Sequence, residues 1–300
     1  MKALRAIGPL QRTADAALAF NTLIWGATFV LVKAALGGVS PILFLALRFS
    51  LAAVVLAILY RGAGKGPHSQ KAVLGGCLSG VFLFAGYALQ TAGLNFTTAP
   101  KSAFLTGLTS VMVPLEASLV YHSRPRASEV VGLLVATVGL ALMTLEGTIG
   151  RIGRGDALTL LCAVAFAAHI VTVGHFSGIM SFELLSVSQI GAAAVLASST
   201  FWWVETPHLE WRPAVVLAVL ITGLFATASA FAIQAWALRY TTSSRAALIY
   251  MLEPVFAWMT SYILAGEGLS RRAAGGAILI LSGVLVVELK PWKAQPHPSQ

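Results

Sequence analysis

The chain has 300 residues, 57% of them hydrophobic and 10% charged, with a mean hydropathy of +0.82 and a formal net charge of +9. A soluble domain carries about a quarter of its residues charged, so this composition excludes one and points to a polytopic membrane protein. The basic residues fall in short connections between apolar runs, where the positive-inside rule accounts for them and binding to nucleic acid is not implied.

At about 20 apolar residues per crossing, the sequence predicts ten transmembrane helices. They cover residues 16–36, 41–60, 72–93, 102–121, 127–145, 156–175, 182–203, 213–238, 245–265 and 271–289. The basic start (Lys2, Arg5, Arg12) has signal-peptide character, but the apolar run after it is long and has a counterpart later in the chain, so it reads as a retained first helix. Cys77 and Cys162 lie inside apolar runs and offer neither a disulfide framework nor a zinc cluster. The longest gaps, 61–71 and 146–155, are rich in Gly and basic residues and hide no soluble domain.

With the N-terminus cytoplasmic, that side receives Arg61, Lys65, Lys71, Arg124, Arg126, Arg239, Arg245, Lys290 and Lys293. The opposite side receives only Lys101, Arg151, Arg154, Arg212, Arg271 and Arg272. Both termini are therefore expected in the cytoplasm.

The chain also repeats itself. QTAGLNFTTAPKSA, beginning at Gln90, aligns with QAWALRYTTSSRAA, beginning at Gln234, and matches Thr97 and Thr98 with Thr241 and Thr242 and Lys101 with Arg245. The same offset carries Gly132 to Gly276 and Gly139 to Gly283, and at a slightly different offset Asp15 matches Asp156 and Trp25 matches Phe166. Each unit then holds five helices, 1–150 and 151–300. An odd number makes the second unit enter the membrane from the opposite side, an inverted-topology repeat of the kind that brackets a midplane binding site in secondary transporters.

The ninth run, RAALIYMLEPVFAWMTSYIL from Arg245, concentrates the chemistry. A Glu at the centre of a membrane helix costs about 2.5–3.5 kcal/mol on insertion scales, so Glu253 is expected to face a cavity or the protein interior. Pro254 removes a backbone donor and frees carbonyls about one turn earlier. Helical spacing adds a stripe on the fourth run, Ser102, Thr106, Thr109, Val113 and Glu116, whose repeat equivalents are Ala246, Tyr250, Glu253, Ala257 and Thr260. Single Ser and Thr residues in such helices more often bond the preceding turn.

The first helix offers Asn21, Trp25 and Thr28 on one face, answered on the sixth by Cys162, Phe166 and His169. His169 is a candidate for proton coupling, although a lone His in a bundle is commonly a neutral hydrogen-bonding residue. Tyr87 and Gln90 on the third helix stand in register with Phe231 and Gln234 on the eighth. An amide can donate to a carboxylate and accept from an ammonium, while its ordinary role is to join helices. Trp25, Tyr87 and Tyr250 are candidate apolar contacts; Asn21, Gln90 and Gln234 are candidate polar ones; His169 and Glu253 are candidates for protonation or ammonium binding. Lys33 and Arg48 are left outside this site as residues that snorkel or pair elsewhere. Gly76, Gly80, Gly132, Gly139, Gly276 and Gly283 permit close helix packing, within or between protomers. Trp202, Trp203 and Trp211 read as interfacial anchors.

Nothing resembles a Walker A loop, an HExxH zinc motif, a GxSxG elbow or a dinucleotide fingerprint, so no cofactor, bound metal or enzymatic activity is expected. WGATFVLVKAAL from Trp25, PILFLALRFSLAAVVL from Pro41, and above all ALRYTTSSRAALIYMLEPVFAWMTSYILAGEGLSRRAAGGAILILSGVLV from Ala237 resemble the EamA group of the drug/metabolite transporter superfamily. Within that group they are similar to the YddG-type amino-acid exporters. The resemblance implies ten helices in two inverted repeats, a central cavity, alternating access, and export of metabolites, often aromatic amino acids, across the bacterial inner membrane.

The first half departs from the family pattern. The first half has no Gly-Glu pair at Tyr121 and His122, in the region that matches Gly266 and Glu267, and Pro114 falls four residues later than Pro254 in the repeat alignment. That shift is one turn, which predicts that the two halves bend at different heights. The rival readings are a transporter of another cargo, such as a drug or a nucleotide-sugar, and a membrane protein that does not transport.

Overall fold

The computed structural model describes residues 3–62, 69–94, 96–97, 99–122, 126–145, 153–265, 268 and 270–288. Among them the chain is helical, with one isolated bridge between Val39 and Leu209. The first half contains α1 (Ala3–Ala35), α2 (Pro41–Leu59), α3 (Ser69–Leu94), α4 (Ala99–Gly107), α5 (Thr109–Tyr121) and α6 (Ala127–Thr144). The second contains α7 (Arg154–Ser177), α8 (Phe182–Val204), α9 (Pro213–Gly223), a π-helical turn (Leu224–Ser229), α10 (Ala230–Ala237), α11 (Ser243–Tyr250), α12 (Glu253–Ala265) and α13 (Arg271–Glu288). Thr98, Gly266, Glu267, Lys2, Lys65, Arg124, Arg151, Lys290 and Lys293 lie outside the described residues, as do the side chains of Arg5, Lys33 and Lys71.

Among the described residues, seven stretches are long and apolar enough to cross a membrane: Pro41–Leu59, Val73–Gly93, Lys101–Tyr121, Ala127–Thr144, Arg154–Ser177, Phe182–Val204 and Pro213–Ala237. Helices also occupy the other three expected spans, as α1, α11 with α12, and α13, but they do not meet that test. α11 and α12 are short pieces of eight and 13 residues. α13 includes Arg271, Arg272 and Glu288 in its 18 residues. By length and apolarity the described residues therefore carry seven of the ten predicted crossings.

The last two helices of each half correspond in their bounds. Adding 144 to the bounds of α6 gives those of α13, and adding it to α5 gives α12. The fourth and ninth runs, predicted as continuous spans, are both interrupted, at Leu108 and at Met251–Leu252. The second interruption follows from Pro254, which has no N–H for the Tyr250 carbonyl. The chain tightens there, with Met251 N–H donating to Leu248 O at 3.1 Å and Leu252 N–H to Ile249 O at 3.0 Å. The expectation of bends at different heights is corrected: Leu108 and Leu252 are related by the same 144, while Pro114 lies inside the unbroken α5.

α6 and α13 pack through their glycines. A Cβ on Gly139 would lie 2.5 Å from Gly276 O, and one on Gly132 would lie 2.6 Å from Gly283 O. The pairing runs in opposite directions along the two helices, so the contact is antiparallel and lies within one chain. α3 packs against α7 and α8, while α2 packs against α8, α9 and the π-helical turn. At the start of α2 the Glu205 carboxylate accepts the N–H groups of Ile42 (3.0 Å) and Leu43 (2.7 Å), which satisfies donors that a helix N-terminus leaves free.

Candidate functional site

The eight expected residues come from α1, α3, α7, α10, α11 and α12, and the structure joins most of them through direct contacts. Trp25 is the hub. Its ring meets Tyr250 at a centroid distance of 5.1 Å and Phe231 at 5.7 Å, and its Nε1 donates to the Ala226 carbonyl at 2.9 Å. These edge and tilted contacts suit the aromatic quadrupole. Ala226 belongs to the π-helical turn, and such turns frequently mark functional sites. One turn before Trp25, the buried Asn21 donates from Nδ2 to Ala230 O at 2.6 Å, leaving its Oδ1 buried without a partner.

Phe231 also meets the His169 ring, at 5.6 Å. His169 and Gln234 are 2% and 1% exposed, so each polar atom here needs a partner. His169 Nδ1 lies 3.0 Å from Ser79 O, and Nε2 lies 3.2 Å from Gln234 Oε1. A carbonyl only accepts, so Nδ1 carries the hydrogen. Nε2 then donates to Gln234 Oε1 in the imidazolium, or accepts from the amide in its other orientation when the ring is neutral. The pair can therefore be satisfied in either protonation state. The Tyr250 hydroxyl faces Gln234 but forms no hydrogen bond of good geometry.

Tyr87 meets Phe166 at 5.1 Å and Phe49 at 5.6 Å, and Gln90 donates from Nε2 to Thr106 Oγ1 at 3.1 Å. The two repeat-related glutamines therefore have different partners, a hydroxyl and an imidazole. Glu253 is half-buried at the start of α12. Its carboxyl group forms no hydrogen bond or ion pair among the described residues. Gly26 brings α1 against it: a Cβ there would lie 2.9 Å from Glu253 O and 2.7 Å from Ala257 N.

The arrangement also recruits Arg48. Nε donates to Thr227 Oγ1 at 2.9 Å, and the guanidinium carbon lies 5.3 Å from the centre of the Tyr87 ring. The residue does not snorkel but is buried in the bundle. A cavity of about 370 Å³ lies elsewhere, among Leu56, Tyr60, Phe182, Ala232 and Trp236, with a largely apolar wall. Among the described residues, no three His, Cys, Asp or Glu side chains form a metal-binding group.

Two reciprocal clasps flank this site. Asp15 of the first half accepts from Thr241 Oγ1 at 2.8 Å and Arg245 Nε at 2.9 Å. Asp156 of the second half accepts from Thr97 Oγ1 at 2.6 Å and Lys101 Nζ at 2.6 Å. Each Asp thus holds the Thr and the cation that are the repeat equivalents of those held by the other.

A solved crystal structure superposes on this fold with a TM-score of 0.78, covering 93% of this chain and 97% of the other at 21% identity. An uncharacterized transporter of Archaeoglobus fulgidus is 37% identical over 285 residues, or 95% of this chain and 89% of that protein. The uncharacterized transporters YvbV and YoaV of Bacillus subtilis are 26% and 24% identical, over 96% and 88% of this chain and 94% and 93% of their own lengths. The model of the EamA-like transporter family matches twice, at residues 12–145 and 153–289. Those two matches take in nearly all the described helices, and with them the chain belongs to the EamA-like transporter family of the drug/metabolite transporters and is not an enzyme.

Proposed function

We propose that the protein is a secondary transporter that exports amino acids, including aromatic ones, or similar small amphipathic metabolites, across a bacterial inner membrane. In this reading ten helices span the bilayer as two inverted five-helix repeats, 1–150 and 151–300, with both termini cytoplasmic. The observation that carries it is the meeting of Trp25, Tyr250 and Phe231 with the buried His169–Gln234 pair. The rings supply an apolar surface, the amides and Asn21 supply polar contacts, and Glu253 suits an ammonium. Gln90 and Tyr87 extend the surface toward α4 and α7.

Alternating access then amounts to rocking one repeat against the other. In the proposed topology Asp15 and Asp156 stand at opposite membrane faces, so their clasps act as an inner and an outer gate. Separating a buried ion pair leaves two charges to be solvated, so each gate opens together with entry of water.

The test is counterflow of labelled phenylalanine into proteoliposomes containing the purified protein, at equal internal and external pH, with unlabelled competitors. Saturable uptake competed by amino acids is expected. Folded protein that gives no flux above empty liposomes removes this cargo class, and competition by organic cations alone favours a drug, which the rings and Glu253 would also suit.

A further inference from the structure

Arg48 is the one feature at the site that the proposed function does not use. It is 5% exposed within the apolar span Pro41–Leu59. Charges at such depth pair with one another or with backbone carbonyls. Arg48 does neither: no carboxylate lies within ion-pair distance among the described residues, and its hydrogen-bond partner is the neutral Thr227 hydroxyl. The faces of Phe49 and Tyr87, 5.6 and 5.3 Å from the guanidinium carbon, offset part of the charge. With Nε occupied by Thr227, the terminal nitrogens are left toward the Tyr87 phenol.

The surroundings tie this cation to the site. Thr227 follows Ala226, the acceptor of Trp25, in the same π-helical turn. Tyr87 lies within electrostatic range of both Arg48 and Glu253, two opposite charges that do not pair with each other. The site therefore holds a guanidinium and a carboxyl group, neither with an ion-pair partner among the described residues, with Tyr87 in range of both.

We infer that Arg48 receives the carboxylate of the cargo, opposite Glu253, so that the transported class is zwitterionic and carries an apolar or aromatic side chain. The inference rests on the amino-acid reading and sharpens it. A guanidinium offers a carboxylate two parallel donors, which a lysine ammonium cannot reproduce. Thr227 acts as a positioning residue, holding Nε and thereby orienting the donors that remain.

The experiment is thermal stabilisation of the purified protein by phenylalanine, phenylalaninamide and hydrocinnamate, run beside counterflow of phenylalanine. In the unaltered protein, stabilisation by phenylalanine and not by the amide is expected. R48Q should weaken phenylalanine binding by about 10- to 100-fold, the scale of losing a hydrogen bond to a charged group. R48K should fall between the two, and Thr227→Val should weaken phenylalanine with little effect on hydrocinnamate's rank below it.

Equal stabilisation by phenylalanine and its amide overturns the inference without any variant, so a poorly folded R48Q does not protect it. Phenylalanine binding and flux unchanged in folded R48Q overturn the role of Arg48 while leaving the proposed function intact. No stabilisation and no flux with any carboxylate compound overturn both.

Discussion

Gln234 holds the Nε2 of His169 and faces the Tyr250 hydroxyl, whereas Gln90 meets the Thr106 hydroxyl. Removing the first amide strands a buried imidazole, whereas removing the second takes one donor from the Thr106 hydroxyl, which keeps its contact with Cys162 Sγ at 4.0 Å. Gln234→Ala is therefore expected to lower phenylalanine counterflow about tenfold and Gln90→Ala less, compared at equal protein per liposome. Equal losses would mean that the asymmetry of partners has no part in transport. The sequence makes the two glutamines legible as a pair because the repeat aligns them, but it does not say which partner each finds. Arg48 escapes a reading of sequence for a related reason. A long basic side chain in an apolar run can snorkel or turn inward, and only Thr227, 179 positions away, decides between them.

At the scale of the elements, the glycine seam of α6 and α13 sets two effects against each other. Replacing a helical Gly by Ala gains about 1 kcal/mol of propensity, while forcing a methyl into a filled contact costs about 1–3 kcal/mol. At Gly139 and Gly276 the added Cβ would lie 2.5 Å from the opposing carbonyl oxygen, so overpacking wins and Gly139→Ala and Gly276→Ala should lower the thermal midpoint in detergent. At Gly275 on α13 a Cβ would meet nothing within 4 Å, so Gly275→Ala should leave the midpoint unchanged or raise it. Periodicity and length locate the helices, since apolar runs have few other ways to satisfy their backbone in a bilayer. They do not locate the interruptions. Pro254 marks one, but the matching break at Leu108 has no proline beside it.

For the whole molecule, the clasps make a prediction about coupling between distant ends. Asp15→Asn removes the charge that holds Arg245, and Asp156→Asn removes the charge that holds Lys101. Hydrogen–deuterium exchange should rise around 241–247 in the first variant and around 97–103 in the second, each with little change at the other end. Equal exchange at both ends in either variant would show that the clasps do not act as separate gates.

The sequence by itself determined the environment, the helical class and the twofold repetition. Composition, run length and internal similarity are properties of the chain alone, and a bilayer leaves few alternatives to helices. It also identified Asp15 with Asp156 and Lys101 with Arg245 as equivalent positions. Only the tertiary structure decided that each Asp reaches across to the other half, that Trp25 gathers Tyr250 and Phe231, and that Arg48 lies inward with no anionic partner among the described residues. Those outcomes depend on which helix faces which, a matter of packing among elements far apart in the chain that local patterns do not encode.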